Sequence, residues 1–185
     1  MSNAMAGPGS ATATLMWSAT LGLTAAVGSY GLACVFPFAA IAALAALTLP
    51  TRQAMALIAA VWGVNQFVGF TLLSFPHDTQ AYVWGAFIGA AAFAALAAAK
   101  LVLGNGAKLI SVRSLAVNAK AIVAYQAVMF VGAFALDGFE SSTPEIVARV
   151  AANDLVWFAG LAALRLALVG VMPRLFGSVP TLRTA

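Results

Sequence analysis

Charged side chains are scarce in this sequence. Only 8% of its 185 residues are Asp, Glu, Lys or Arg, whereas 63% are hydrophobic and the mean hydropathy is +1.00. A water-soluble domain carries charge on roughly a quarter of its residues, so this chain has too few charges to cover a surface that faces water. The composition therefore predicts an integral membrane protein.

Cysteine and histidine are also almost absent, which excludes several kinds of site. The single cysteine, Cys34, cannot form a disulfide within the chain, and the single histidine, His77, has no second histidine with which to share a metal. The sequence contains no C-x-x-C, H-E-x-x-H, Walker or G-x-G-x-x-G motif and no Ser/His/acid set. We therefore expect neither an enzyme nor a cofactor held by the protein.

Six segments of the chain are apolar enough to cross a bilayer, which takes about 20 helical residues each. They predict an all-α, polytopic bundle of six transmembrane helices in a single domain, residues 5–185. The predicted helices span residues 12–31, 34–50, 53–74, 80–103, 118–136 and 145–172. Residues 107–117 are interpreted as a connector at the membrane surface or as an early turn of the fifth helix. Residues 1–4 resemble an expression-tag remnant, and no basic residue precedes the first apolar run as it would in a signal peptide.

The few charges segregate under this six-helix prediction, in which both termini lie on one side of the membrane. The basic residues on that side are Arg52, Lys100, Lys108, Arg113, Lys120, Arg174 and Arg183. The acidic residues on the opposite side are Asp78, Asp137, Glu140 and Glu145. Of the basic residues outside the helix interiors, only Arg149 lies on that side, one turn after Glu145. The positive-inside rule then predicts cytoplasmic N and C termini, in a bacterial inner membrane. Because topology explains the net charge of +4, that charge does not indicate a nucleic-acid partner.

Polar chemistry is concentrated in residues 62–84, which read WGVNQFVGFTLLSFPHDTQAYVW. Trp62, Asn65, Gln66 and Gly69 fall at i, i+3, i+4 and i+7, so they share one face of the third helix. Polar side chains at membrane depth are costly and usually mark a site or a pathway. This face therefore predicts one wall of a binding site.

The sixth helix and the loop after the third helix supply the other predicted walls. In the sixth helix, an amide, a carboxyl group and an indole are predicted to lie at a depth similar to that of the polar face of the third helix. The loop after the third helix would close over them. Together they predict an outward-facing pocket for a small molecule. Its predicted members are Trp62, Asn65, Gln66, Phe75, His77, Asp78, Tyr82, Asn153, Asp154 and Trp157. Tyr125 and Gln126 are predicted to lie low in the fifth helix, near the cytoplasmic side.

Bland interpretations of the same residues stay open. The amides and indoles could hydrogen-bond between helices without any ligand, as polar groups in membrane bundles often do. His77, in a proline-containing loop, could be a solvated turn residue. Small residues predict helix contacts: Ser18, Gly22 and Ala26 form a stripe on the first helix, and a G-x-x-x-G on the fourth would bring backbones close together.

The chain resembles the substrate-binding S component of energy-coupling-factor vitamin importers. Those are small six-helix membrane proteins with cytoplasmic termini and a vitamin pocket toward the outer face. The resemblance covers the whole chain in architecture and rests in motif on W-G-V-N-Q (residues 62–66) and F-P-H-D (residues 75–78). It implies a membrane-embedded subunit that binds a vitamin-like molecule for uptake. The implied partners are that small molecule, the lipid bilayer, and a transmembrane coupling subunit with ATPases.

Within that family the chain is most similar to the solitary cobalamin type, in which the loop between helices 3 and 4 can offer a cobalt ligand. His77 occupies that loop, so the resemblance implies His77 as the axial ligand of a corrinoid cobalt, with cobalamin as the bound substrate. The motif by which helix 1 meets the coupling subunit is not clean here, and Gly22-x-x-x-Ala26 is its nearest match. The alternative functions are a small ion channel or carrier, and a structural or assembly membrane protein without a ligand.

Overall fold

The computed structural model describes residues 8–32, 36–103, 109–136 and 138–177. Over these ranges the regular structure is helical throughout, which confirms the all-α prediction. The predicted tag remnant at residues 1–4 lies outside the described residues, as do Cys34, Lys108, Asp137 and Arg183.

The helices of the described chain follow the predicted order. They are α1 (Pro8–Leu32), α2 (Phe38–Thr48), α3 (Thr51–Phe67), α4 (Thr79–Leu103), α5 (Val112–Ala135), α6 (Pro144–Val171) and the short α7 (Pro173–Phe176). A wider π-helical turn, Val68–Leu72, extends α3, and a 3-10 turn, Phe139–Ser142, precedes α6.

Four helices within the described ranges are long and apolar enough to cross a membrane. They are α3 with its π-helical turn (Thr51–Leu72), α4, α5 and α6. Six spans and the side of the termini remain predictions. We call the end of the bundle near Lys100 and Arg113 the basic end, and the end near Asp78 and Glu145 the acidic end.

The second helix is shorter than predicted. It begins at Phe38 instead of residue 34, because Pro37 has no N–H and adopts φ −83°, ψ 63°, while the Phe38 N–H turns back to the Phe36 carbonyl at 2.9 Å. Its eleven residues make a helix about 16 Å long, roughly half of the bilayer's hydrocarbon thickness. Residues 38–46 are all buried, and α3, α4, α5 and α6 pack around them.

Charged side chains from two neighbouring helices hold the ends of α2. At its N-terminus the Ala40 N–H donates to Asp154 Oδ1 of α6 at 2.9 Å. At its C-terminus Lys100 Nζ of α4 donates to the carbonyls of Ala46 at 3.0 Å and Leu49 at 2.8 Å. A negative group at the N-terminus and a positive group at the C-terminus complement the helix dipole. Since Lys100 belongs to the last turn of α4, α2 fills the basic half of the bundle and stops near mid-depth.

The fifth helix begins six residues earlier than position 118. Ser111 caps it: its Oγ accepts the Ser114 N–H at 3.1 Å, and Ser114 Oγ accepts the Ser111 N–H at 3.1 Å. Residues 112–117 are therefore early turns of the helix. Tyr125 and Gln126 lie just past the midpoint of α5, toward the acidic end, so they do not lie low in the helix as predicted.

Candidate functional site

A cavity of about 530 Å³ lies above the N-terminus of α2, in the half of the bundle that this short helix does not fill. Phe36 and Phe38, at the start of α2, line its floor. Its walls come from α3, α4, α5 and the first turns of α6, and the loop after α3 covers it. Small-molecule sites in proteins have volumes of roughly 300–1,000 Å³, and this cavity falls in that range.

Aromatic rings form much of the cavity wall. Phe36 and Phe38 meet edge to face with ring centroids 4.6 Å apart, and Phe38 lies nearly parallel to Tyr125 at 6.1 Å and 16°. Phe70 and Trp84 continue this lining on α3 and α4. Flat apolar surfaces of this kind suit the faces of a ring compound.

The cavity lining includes three amide residues, besides the hydroxyl residues Tyr125 and Ser142. Asn65 and Gln66 project from α3, and Gln66 Nε2 donates to Asn65 Oδ1 at 3.2 Å. The Gln66 side-chain oxygen lies against Gly85 of α4, where a Cβ would overlap it. Gln126 projects from α5, and its buried Nε2 has no hydrogen-bond partner within the described protein. The described lining residues carry no charge, so the cavity offers hydrogen bonds without ion pairs.

The loop between α3 and α4 folds back over the cavity. The Phe75 N–H donates to the Gly69 carbonyl at 3.0 Å, and a Cβ on Gly69 would come within 2.8 Å of the Phe75 ring. Ser74 adopts φ 53°, a left-handed conformation that is unusual for a residue other than glycine. Phe75 and Pro76 both line the cavity, so this tight turn places an apolar roof on it.

His77, Asp78 and Tyr82 lie at the exposed rim of this roof. His77 Nδ1 is 3.0 Å from the Tyr82 hydroxyl, and the Phe70 ring packs against both residues with centroid distances of 5.4 and 4.9 Å. Asp78 Oδ1 accepts the Ala81 N–H at 2.8 Å and so caps α4. No cluster of three or more His, Cys, Asp or Glu side chains that could hold a metal occurs among the described residues.

The remaining predicted site residues lie outside the cavity lining. Trp62 Nε1 donates to the Gly85 carbonyl at 2.8 Å and links α3 to α4. Asp154 binds the N-terminus of α2, and Asn153 is half-buried beside it on α6. Trp157 lines a separate shallow groove with Thr24 of α1. The structure thus brings together Asn65, Gln66 and Phe75, but it does not place the α6 residues with them.

The contribution of α5 to the cavity wall was not predicted from the sequence. Tyr125, Gln126 and Met129 line the cavity. Tyr125 and Gln126 were predicted too low because the start of the helix was predicted too late, and Met129 was not considered. A usable signal was present: Ser111 and Ser114 have the i, i+3 spacing of a helix cap. In a helix that begins at this cap, Gln126 lies beyond the midpoint of the helix.

Comparison with known proteins finds no matching protein family, no matching curated protein and no matching solved structure.

Proposed function

We propose that this protein is a membrane-embedded substrate-binding subunit for the uptake of a vitamin-like small molecule. One observation carries the proposal: the bundle holds a partly open cavity of about 530 Å³ whose lining combines aromatic rings with amide residues. A bundle held together only by packing has no need of such a space, since interiors are normally close-packed. Asn65 and Gln66 line this space, which supports a ligand role for them in addition to the contacts that Gln66 makes with Asn65 and Gly85.

The proposed topology has six passes through a bacterial inner membrane with both termini in the cytoplasm. Support comes from the separation of charge, with Arg52, Lys100 and Arg113 near the basic end and Asp78 and Glu145 near the acidic end. In the second pass, α2 covers only the basic half. The acidic end then faces outward, and the cavity receives its ligand from outside.

The size of the cavity favours a compound with a single ring system over cobalamin, the substrate that the resemblance implied. A corrinoid with its axial nucleotide is several times bulkier than a one-ring vitamin. The contacts of His77 with Tyr82 and Phe70 support a role in the roof of the cavity, as a lid, over a role as a cobalt ligand. A transmembrane coupling subunit and ATPases remain proposed partners.

Isothermal titration of the purified protein against a vitamin panel that includes cobalamin tests this function. We expect Asn65→Leu to weaken binding about tenfold or more, because an unpaired buried polar group costs about 1–3 kcal/mol and 1.4 kcal/mol is a factor of ten. His77→Ala should mainly speed release. Gln53→Leu, on an exposed position of α3 about 18 Å from Asn65, is the matched control.

The outcomes separate the alternatives. A change in the visible spectrum of bound cobalamin in His77→Ala would restore the corrinoid assignment. If no compound binds the unmodified protein, the uptake proposal fails and a structural or assembly role is favoured.

A further inference from the structure

The Tyr125 hydroxyl is an unpaired polar group that a molecule in the cavity can reach. Tyr125 lines the cavity and is only 8% exposed, and its hydroxyl forms no hydrogen bond with any residue that the structure describes. Asn118, Gln126 and Arg165 carry unpaired side-chain atoms that are fully enclosed, whereas the Tyr125 oxygen is unpaired but keeps accessible surface. Because the rest of this side chain is packed in the hydrophobic core, that surface faces the cavity.

Other hydroxyl groups of the described chain are paired within the protein. The Tyr82 hydroxyl lies 3.0 Å from His77 Nδ1, and Thr48 Oγ1 donates to the Leu44 carbonyl at 2.6 Å. Polar groups in protein interiors are nearly always hydrogen-bonded, and leaving one unpaired costs stability. A hydroxyl that lies open to a cavity is therefore expected where a ligand completes its hydrogen bond.

The surroundings of Tyr125 restrict the charge of that ligand. Its ring lies nearly parallel to Phe38 on the cavity floor, and Asp154 accepts the Ala40 N–H just behind this floor. An anionic group at the floor would be repelled by the Asp154 carboxylate and would meet no cation among the described lining residues. A cationic group could not pair with Asp154 directly, because that side chain is only 1% exposed. The floor therefore suits an uncharged group.

We propose that Tyr125 determines the specificity of the cavity, and that its hydroxyl binds the polar ring edge of an uncharged ring compound. This proposal rests on the proposed function, because it describes the ligand of the same cavity. The ligand's ring packs against the Phe36 and Phe38 rings at the floor. The Tyr125 hydroxyl donates to a carbonyl oxygen or ring nitrogen on the ring edge, or accepts from a ring N–H.

Stability without ligand distinguishes this role from a structural one. Tyr125→Phe removes only the hydroxyl and keeps the ring that stacks on Phe38. Since the hydroxyl has no partner in the described protein, the thermal midpoint of the ligand-free variant should be unchanged or higher. A hydroxyl that held the bundle together would give a lower midpoint instead.

Isothermal titration of the full-length protein tests the role in binding. The probes are nicotinamide, pyridoxine and riboflavin, which carry no net charge at neutral pH, with anionic nicotinate and cationic thiamine for comparison. We expect the tightest binder to be an uncharged probe. Tyr125→Phe should weaken its binding about three- to tenfold, the loss of one neutral hydrogen bond. Thr20→Val is the control, because it removes a hydroxyl from α1, outside the cavity lining, and should bind as the unmodified protein does.

The outcomes distinguish this inference from the proposed function. Tighter binding of nicotinate or thiamine than of every uncharged probe overturns the ligand class. Unchanged affinity in Tyr125→Phe, an equal loss in Thr20→Val, or a lowered thermal midpoint overturns the role of Tyr125, while the uptake proposal stands. If none of the uncharged probes binds the unmodified protein, this inference fails. A compound from the wider vitamin panel that still binds would leave the proposed function intact.

Discussion

Gly85 and Gly89 of α4 lie in close contact with side chains of α3. A Cβ on Gly89 would be 2.9 Å from Trp62 Nε1 and 3.0 Å from Cε2, and a Cβ on Gly85 would overlap the Gln66 amide. The G-x-x-x-G pattern does mark a contact between helices. The two glycines pack against side chains of α3, however, whereas the predicted contact was with the backbone of another helix. On the α1 stripe, a Cβ on Gly22 would meet nothing within 4 Å among the described residues, so no such contact is seen for this glycine.

We predict that Gly89→Leu destabilises the bundle by about 1–3 kcal/mol, the usual cost of forcing extra atoms into a packed site. Thermal unfolding in detergent measures the effect. Gly160→Leu on α6 is the matched control, because a Cβ there meets nothing within 4 Å in the described part of the chain. Equal midpoints for the two variants would mean that Trp62 does not pack on Gly89.

Single residues show how far the sequence predicts the site. Asn65 and Gln66 were chosen because amides in an apolar run are unusual enough to be informative, and both line the cavity. Asp154 was assigned to the ligand by the same logic, yet its partner is the Ala40 N–H, 114 positions away. Polarity at membrane depth indicates that a group must be paired, and only the fold reveals what it pairs with.

The short helix α2 is the element on which the cavity depends. It is buried from Phe38 to Ala46, and charged groups at Asp154 and Lys100 meet its two ends. If α2 continued toward the acidic end, it would occupy the space now bounded by Phe36 and Phe38. The length of this one helix therefore sets where a ligand can lie.

We predict that Asp154→Ala is less stable than Asp154→Asn by about 1–3 kcal/mol. Both variants remove the charge, but asparagine keeps an oxygen that accepts the Ala40 N–H, whereas alanine leaves that N–H unpaired in the core. Chemical unfolding of the two variants in the same detergent gives the difference, and Glu140→Ala, at an exposed acid, is the control. Equal stability of the two Asp154 variants would show that this bond does not hold α2.

Element boundaries were predictable where apolar runs end in polar turns, as at α3, α4 and α6. They were not predictable at α2 and α5. An apolar run gives the length of buried chain but not the length of helix, and Pro37 shortens the helix without changing hydropathy. At α5, basic residues near the start of the helix made this segment resemble a connector at the membrane surface, although Ser111 caps the helix there.

At the scale of the whole molecule, the two ends of the bundle differ in charge and in their distance from the cavity. The cavity lies toward the end that carries Asp78 and Glu145, and the cationic group at Lys100 lies toward the opposite end. The sequence predicted this polarity through the positive-inside rule. It did not reveal the cavity, which arises from the relative lengths of α2 and the helices around it.

We predict that a cysteine at Thr79 reacts with an impermeant thiol reagent added to intact cells, and that one at Val112 does not. Both positions are exposed at helix starts on opposite ends of the bundle. Cys34 is first replaced by alanine so that it does not contribute. Labelling of the Val112 variant alone would reverse the orientation, and labelling of both would contradict the six-pass topology.

Native mass spectrometry, after incubation with the vitamin panel, tests most directly whether the cavity holds a small molecule. Ala81→Trp adds a large ring inside the cavity, whereas Ala86→Trp adds the same ring on an exposed face of α4. We expect the unmodified protein and Ala86→Trp to carry one bound compound, and Ala81→Trp to lose it. Binding that persists in Ala81→Trp, or no bound compound in the unmodified protein, would contradict the assignment of this cavity as the binding site.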